Sequence, residues 1–301
     1  MELKQKNYSP YLALLAVQMT FGALPVIGKI VLKTIPSLAV VGFRVGITAL
    51  ALYLVQRYRG NMRLEDKKDY LRFAILSFFG VTLNQILFVT GLSLTKASNT
   101  SLLAVTIPIF ALSFSAIMGI EKLRNIKIAG IALAAIGVIL LIDPRNASFS
   151  SETTVGDILI ILNSLSYGIY VSISKDIVTR NGAIKSIAWV FIFASVICVP
   201  LGLYSLSGID VAAVSPTIWL LVLHVAVVST LIPYLLNAWA LARVNPSTVA
   251  VFVYLQPLIG FFLAIVFLGE KLDFKVAVAA VLIFAGVFLV TKKFAPKQIL
   301  I

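Results

Sequence analysis

Gly119-Ile120-Glu121-Lys122-Leu123 returns 149 residues later as Leu268-Gly269-Glu270-Lys271-Leu272, each time at the end of an apolar run. Extending the same register outward lays residues 98–142 on 247–291 without a gap, with nine of 45 pairs identical. Apolar residues in such runs match often by chance. A shared Glu-Lys-Leu and a shared mid-run proline, Pro108 on Pro257, in one frame do not. Ser98/Ser247 and Gly137/Gly286 also coincide, Ser37 falls on Ser186 at the same offset, and Phe21-Gly22 falls on Tyr167-Gly168 at an offset of 146. The chain is therefore read as an internal repeat.

Composition says what the repeat is made of. Of 301 residues, 60% are apolar and 12% charged, where a soluble domain carries about 25% charged residues. A core of this size could not hide that much apolar surface from water. A spanning helix needs about 20 mostly apolar residues, and the runs between charged and Pro/Gly punctuation number ten: near 11–32, 37–56, 71–92, 98–119, 125–142, 156–174, 186–205, 216–239, 246–268 and 274–291. The expected fold is an all-α polytopic membrane protein. A porin-type barrel is excluded, because its strands alternate in character. The apolar stretch after Lys4 and Lys6 is too long for a signal peptide and lacks a small-residue cleavage site.

The net charge of +13 would suit a nucleic-acid partner, but the basic residues lie in short breaks between apolar runs rather than on one patch. With the N-terminus inside, 18 Lys and Arg fall in inner segments and five in outer ones, Lys29 and Arg44 lying within runs. The positive-inside rule then places both termini in the cytoplasm and accounts for the charge without nucleic acid. One cysteine, Cys198, and one histidine, His224, allow neither an intramolecular disulfide nor a multi-ligand Cys/His metal site, so no metal or cofactor is expected.

Two halves, 1–145 and 153–293, hold five runs each. Five is odd, so the second half enters the membrane upside down relative to the first. Two inverted five-helix repeats are the architecture of secondary transporters, whose halves exchange inward- and outward-open shapes around one central site.

The Glu-Lys after the fourth run of each half, Pro36 followed by Arg44 in the second run, and an aromatic-Gly pair in runs one and six together resemble the EamA family of the drug/metabolite transporter superfamily. Phe21 stands where that family often has Trp. The resemblance covers essentially the whole chain. It implies a transporter rather than an enzyme, export of small metabolites or drugs across the bacterial inner membrane, and a central cavity between helices 1, 3, 4 and 6, 8, 9.

Candidate site residues follow from polarity at mid-run depth. All twelve acidic residues lie at run ends or in connecting segments, which argues against coupling through a membrane-embedded carboxylate and removes the paired carboxylates a hydrolase would use. Gln18, Asn84, Gln85, Asn163, Tyr167, Tyr234, Asn237, Tyr254 and Gln256 suggest a hydrogen-bonding, aromatic-walled site for a small zwitterionic or amphiphilic metabolite such as an amino acid. Each is equally readable as an amide or hydroxyl bonding a neighbouring helix. Arg44 lies about 10 Å inside run two at 1.5 Å per residue. It reads either as an anchor for a carboxylate or phosphate, or as a packing residue bonded to a neighbouring helix. The anchor reading, with Lys29, gives an alternative function as an organic-anion or phosphorylated-metabolite antiporter.

Pro108 and Pro257 read as paired hinges or as static bends. His224 reads as a proton carrier or a packing residue. Gly42 and Gly46 form a small-residue face on run two, and Gly130 and Gly137 recur on run five, both favouring close helix contact. Glu121 and Glu270, beside Lys122 and Lys271, are expected to organise short turns. The expected partners are the bilayer and a small-molecule solute, for a monomer or homodimer.

Overall fold

The computed structural model describes residues 8–60, 62–142, 153–259 and 274–291. All of the regular structure in them is helical. The helices are α1 (Ser9–Leu32), α2 (Ser37–Tyr58), α3 (Lys68–Leu94), α4 in two pieces (Ala97–Leu103 and Thr106–Ile117), α5 (Asn125–Ile142), α6 (Thr154–Asn181), α7 (Ala183–Leu206), α8 (Pro216–Leu241), α9 (Pro246–Ile259) and α10 (Phe274–Thr291). Six of them, α1, α2, α3, α6, α7 and α8, are long and apolar enough to cross a membrane, and four further apolar stretches in α4, α5, α9 and α10 are shorter. The predicted run 246–268 continues past Ile259 into residues outside those described, as does the Glu270-Lys271 pair.

Helix starts and stops follow local chemistry. Proline occupies the first turn of α1, α8 and α9, where the missing N–H is not needed, and Ser215 Oγ accepts the Ile218 N–H at the head of α8. Between α6 and α7 the chain reverses through Gly182 alone, at φ +80°, a backbone conformation a side chain would oppose.

The molecule is apolar outside, and polar side chains are held within its core. Leu12, Met19 and Val26 on α1 are each more than half exposed, as are Val281, Phe284 and Phe288 on α10, while Gln18, Arg44, Gln85 and Asn163 are buried. An exterior of this kind is stable against lipid chains, not water. The chain is a multi-pass membrane protein.

The closest helix pairings are α2 with α7, α5 with α10, α3 with α6, α4 with α6 and α1 with α8, and α4 also meets α9. Each joins one helix from the first half of the sequence to one from the second. The small faces read in the sequence lie at these contacts: Gly42 and Gly46 pack on Gly202 and Val199 of α7, and Gly130 on Gly286 of α10. The expectation of close helix contact is met within one chain.

Two helices carry an inserted residue. Phe78–Thr82 in α3 and Val227–Leu231 in α8 are π-helical, and these segments stand 149 residues apart at both ends. A π segment loosens the carbonyls around it, and side chains claim them here. Ser166 and Tyr234 donate to Phe79 O and Gly80 O at 2.7 and 3.2 Å, while Thr230 and Thr48 donate to Val225 O and Ala226 O at 2.7 and 3.2 Å. The backbone irregularities thus draw polar side chains from several helices to one level of the bundle.

Candidate functional site

A cavity of about 100 Å³ lies at that level. Gln18, Phe21, Leu24 and Pro25 of α1 line it, with Arg44 of α2 and Asn84, Gln85 and Phe88 of α3. Thr100, Ala104 and Ile107 of α4 close the first-half side. The second half contributes Ile160, Asn163, Ser164 and Tyr167 of α6, Tyr234 of α8, and Val253 and Gln256 of α9. The six helices expected around a central cavity all reach it, and α2 adds one side chain.

The proline pair explains part of the wall. A proline at position i has no N–H for the carbonyl at i−4, which is Ala104 for Pro108 and Val253 for Pro257. Both of these residues line the cavity. The helix breaks between Leu103 and Thr106 in α4, and it tightens to a 3₁₀ turn over Phe252–Tyr254 in α9. The prolines themselves do not line the cavity, so their effect on it passes through the backbone.

Hydrogen bonds stitch the wall together across the two halves. Gln85 Nε2 donates to the Tyr234 hydroxyl at 3.0 Å, whose own hydrogen is shared between Gly80 O at 3.2 Å and Asn84 Oδ1 at 3.3 Å. Asn163 Nδ2 donates to Asn84 O at 2.9 Å. Gln256 Nε2 donates to Gln18 Oε1 at 2.8 Å, joining α9 to α1. Phe21 packs edge-on against Tyr234, ring centres 6.5 Å apart. Buried Gln85 Oε1 has no donor among the described residues, and such orphans are uncommon in native interiors.

Eight of the ten binding candidates read from the sequence therefore meet at one cavity: Gln18, Arg44, Asn84, Gln85, Asn163, Tyr167, Tyr234 and Gln256. Asn237 and Tyr254 do not line it. Asn237 Nδ2 stands behind Tyr167, donating to its hydroxyl at 2.5 Å, and Tyr254 donates to Val105 O at 2.8 Å. Both act as the interhelix bonds that the sequence had left as their other reading. Lys29 and His224 are half-buried and do not line the cavity. Thr100 and Ser164 are lining residues that sequence reasoning passed over. For Ser164 a signal existed, since the offset of 146 that sets Phe21 on Tyr167 sets Gln18 on Ser164.

Arg44 is 2% exposed. Its Nε donates to Thr230 Oγ1 at 2.9 Å, and it forms neither an ion pair nor a second hydrogen bond with any described residue. No other charged side chain lines the cavity among the described residues.

The buried carboxylates lie elsewhere, at the ends of the bundle. Asp69 accepts from Arg180 at 2.5 Å, Asn181 at 2.9 Å and Arg72 at 3.3 Å, tying the start of α3 to the end of α6. Asp157 at the start of α6 accepts from Thr95 Oγ1 at 2.5 Å and Asn99 Nδ2 at 3.0 Å. Glu121 closes the short turn between α4 and α5 and also reaches α9. It pairs with Lys127 and accepts from Ser247 N at 2.9 Å and Ser247 Oγ at 2.7 Å, capping the head of α9.

A sequence model of the EamA-like transporter family matches this chain twice, over residues 9–143 and 154–292. The chain belongs to the EamA-like transporter family. An uncharacterized transporter of Archaeoglobus fulgidus is 26% identical over 266 residues, covering 88% of this chain and 91% of its own. The uncharacterized transporters YoaV and YetK of Bacillus subtilis are 23% and 24% identical, over 96% and 98% of this chain and 98% and 90% of theirs. A solved crystal structure shares the fold at a TM-score of 0.74 and 18% identity, covering 95% of this chain and 98% of that one. Membership in this family makes the protein a transporter.

Proposed function

We propose that the protein is a secondary transporter that moves a small organic metabolite through the central cavity by alternating access, its ten helices crossing the membrane as two inverted five-helix repeats. One observation carries the reading: residues that are images of one another under the 149-residue register touch. Gln85 bonds Tyr234 and Val105 accepts from Tyr254, each pair 149 apart. Images under a two-fold axis can touch only beside that axis. The matched π segments, the matched prolines and the double family match support the same symmetry, and the cavity lies where both halves contribute to it.

The lining supports a hydrogen-bonded solute of modest size, since about 100 Å³ is below the 300–1,000 Å³ typical of drug-sized ligand sites. An amino acid or a comparable small metabolite fits this reading better than a multi-ring drug. The 18-to-5 split of basic residues supports an inner (plasma) membrane topology with both termini cytoplasmic, and the family resemblance implies export.

Asn84→Ala and Gln256→Ala each remove a side-chain amide from the wall. Release of solutes from proteoliposomes preloaded with an amino-acid mixture, followed by mass spectrometry, is expected to slow on the order of tenfold, as for one lost hydrogen bond of about 1.4 kcal/mol in the transport step. Equal release from both variants and the parent protein, at equal incorporation, removes these residues from the path.

A further inference from the structure

We infer that Arg44 anchors a single carboxylate of the transported solute, so that the site selects solutes bearing one carboxylate over cations and dianions. This deepens the transport reading and rests on it for the identity of the cavity as the solute site.

Among the described residues the charge on Arg44 is unbalanced. A guanidinium carries five N–H donors in a planar fork, and Arg44 spends one, on the Thr230 hydroxyl. The side chain is 2% exposed, yet it belongs to the cavity wall. Arginines placed this deep for structure alone are normally compensated by an acid or by several carbonyls, because an uncompensated charge inside the membrane is costly. Arg180, by contrast, meets the Asp69 carboxylate at 2.5 Å. Every described acidic residue that is buried is already engaged at a bundle end, so none of the described acids is left to neutralise Arg44. A planar carboxylate entering the cavity supplies the missing charge and matches the fork with two parallel hydrogen bonds.

The remaining lining sets the sign and number of charges. Among the described residues no acidic side chain lines the wall, so nothing there balances a free cation, whereas the ammonium of a zwitterion bound through its carboxylate would meet amide and hydroxyl acceptors, Gln85 Oε1 among them. A phosphate dianion calls for a second cation, and Lys29, the other membrane-embedded basic residue in the sequence, does not line the cavity. The rest of the wall is aromatic and aliphatic, through Phe21, Phe88, Leu24 and Ile107, and suits an apolar tail.

The test uses probes that differ in charge and little else, each small enough to enter whatever the natural solute's skeleton. Purified protein in detergent is melted at constant ionic strength with propionate, propanamide, propylammonium or inorganic phosphate. Propionate is expected to raise the melting temperature by on the order of 2 °C or more, and the other three to leave it unchanged. Arg44→Gln is expected to abolish the propionate shift, and Arg44→Lys to keep a smaller one, since a point charge lacks the fork. If Arg44→Gln does not fold, the parent protein alone decides, through propionate against propanamide. Equal shifts from propionate and propanamide, or a larger shift from phosphate, overturn the assignment. Because binding is read without flux, the two readings fail separately. A protein that binds propionate through Arg44 but releases no preloaded solute contradicts transport and keeps the anchor. Solute release that persists in folded Arg44→Gln contradicts the anchor and keeps transport.

Discussion

Glu121→Ala is expected to lower the stability of the folded protein by about 3 kcal/mol, the low end of what is lost when one partner of a buried ion pair is removed. The low end applies because Lys127 is 13% exposed and recovers part of its hydration. The rest is not recovered. Ser247 N and Ser247 Oγ both donate to this carboxylate, so its loss also uncaps the first turn of α9, where unpaired N–H groups and the positive end of the helix dipole favour an anion. Thermal unfolding in detergent should show a fall of roughly 6–12 °C, taking 2–4 °C per kcal/mol. Glu121→Gln keeps an acceptor for Ser247 but not the charge facing Lys127, and should fall in between. A melting temperature for Glu121→Ala within a degree of the parent contradicts the assignment of this carboxylate as the clasp between the end of α4 and the head of α9.

Gly286→Val is expected to remove most folded protein from the membrane. A Cβ at this position would overlap the carbonyl oxygen of Gly130 and stand 2.7 Å from both the backbone nitrogen and the Cβ of Ala134. Two of these three atoms are backbone, so no side chain can rotate away and α5 and α10 must part. Overpacking usually costs about 1–3 kcal/mol where neighbours can adjust, and here separation also forfeits the dispersion contacts of the whole α5–α10 interface. Gly208→Ala is the matched control, since a Cβ there meets no atom within 4 Å. Folded yield, read as the monodisperse fraction after detergent extraction, should collapse for Gly286→Val and hold for Gly208→Ala. Equal yields from both contradict the close α5–α10 contact.

These two residues also show what a sequence reveals and what it conceals. Gly42, Gly46, Gly130 and Gly137 were legible because small residues at helical spacing in an apolar run have one dominant use in lipid, while Gly286 showed only as the repeat mate of Gly137. The clustering of Gln18, Asn84, Gln85, Tyr234 and Gln256 was legible for a related reason, since polar groups in such runs must turn inward together. Glu121 was legible only as a turn residue. Nothing along the chain pointed to Ser247, 126 residues on. The two π segments were hidden as well. Apolar periodicity fixes a helix but does not register one inserted residue, and that residue turns Asn84, Gln85 and Tyr234 relative to the helix before them. Asn237, read as a lining residue, bonds the Tyr167 hydroxyl instead. The compensation of Arg44 needed the third dimension. Counting acids at run ends showed that none stood beside it in sequence, but only the packed bundle places it in the cavity wall with one bond to Thr230.

The central claim is that one cavity opens in turn to each side of the membrane, and the chain's single cysteine makes this directly measurable. Cys198 is buried, so Cys198→Ala gives a thiol-free background, and Ser164→Cys then places a near-isosteric thiol in the cavity wall. Sealed vesicles of both orientations are treated with a small membrane-impermeant methanethiosulfonate reagent, and the modified fraction is counted by mass spectrometry. Alternating access predicts that Cys at position 164 is modified from both faces. Modification from one face only, or from neither, contradicts it.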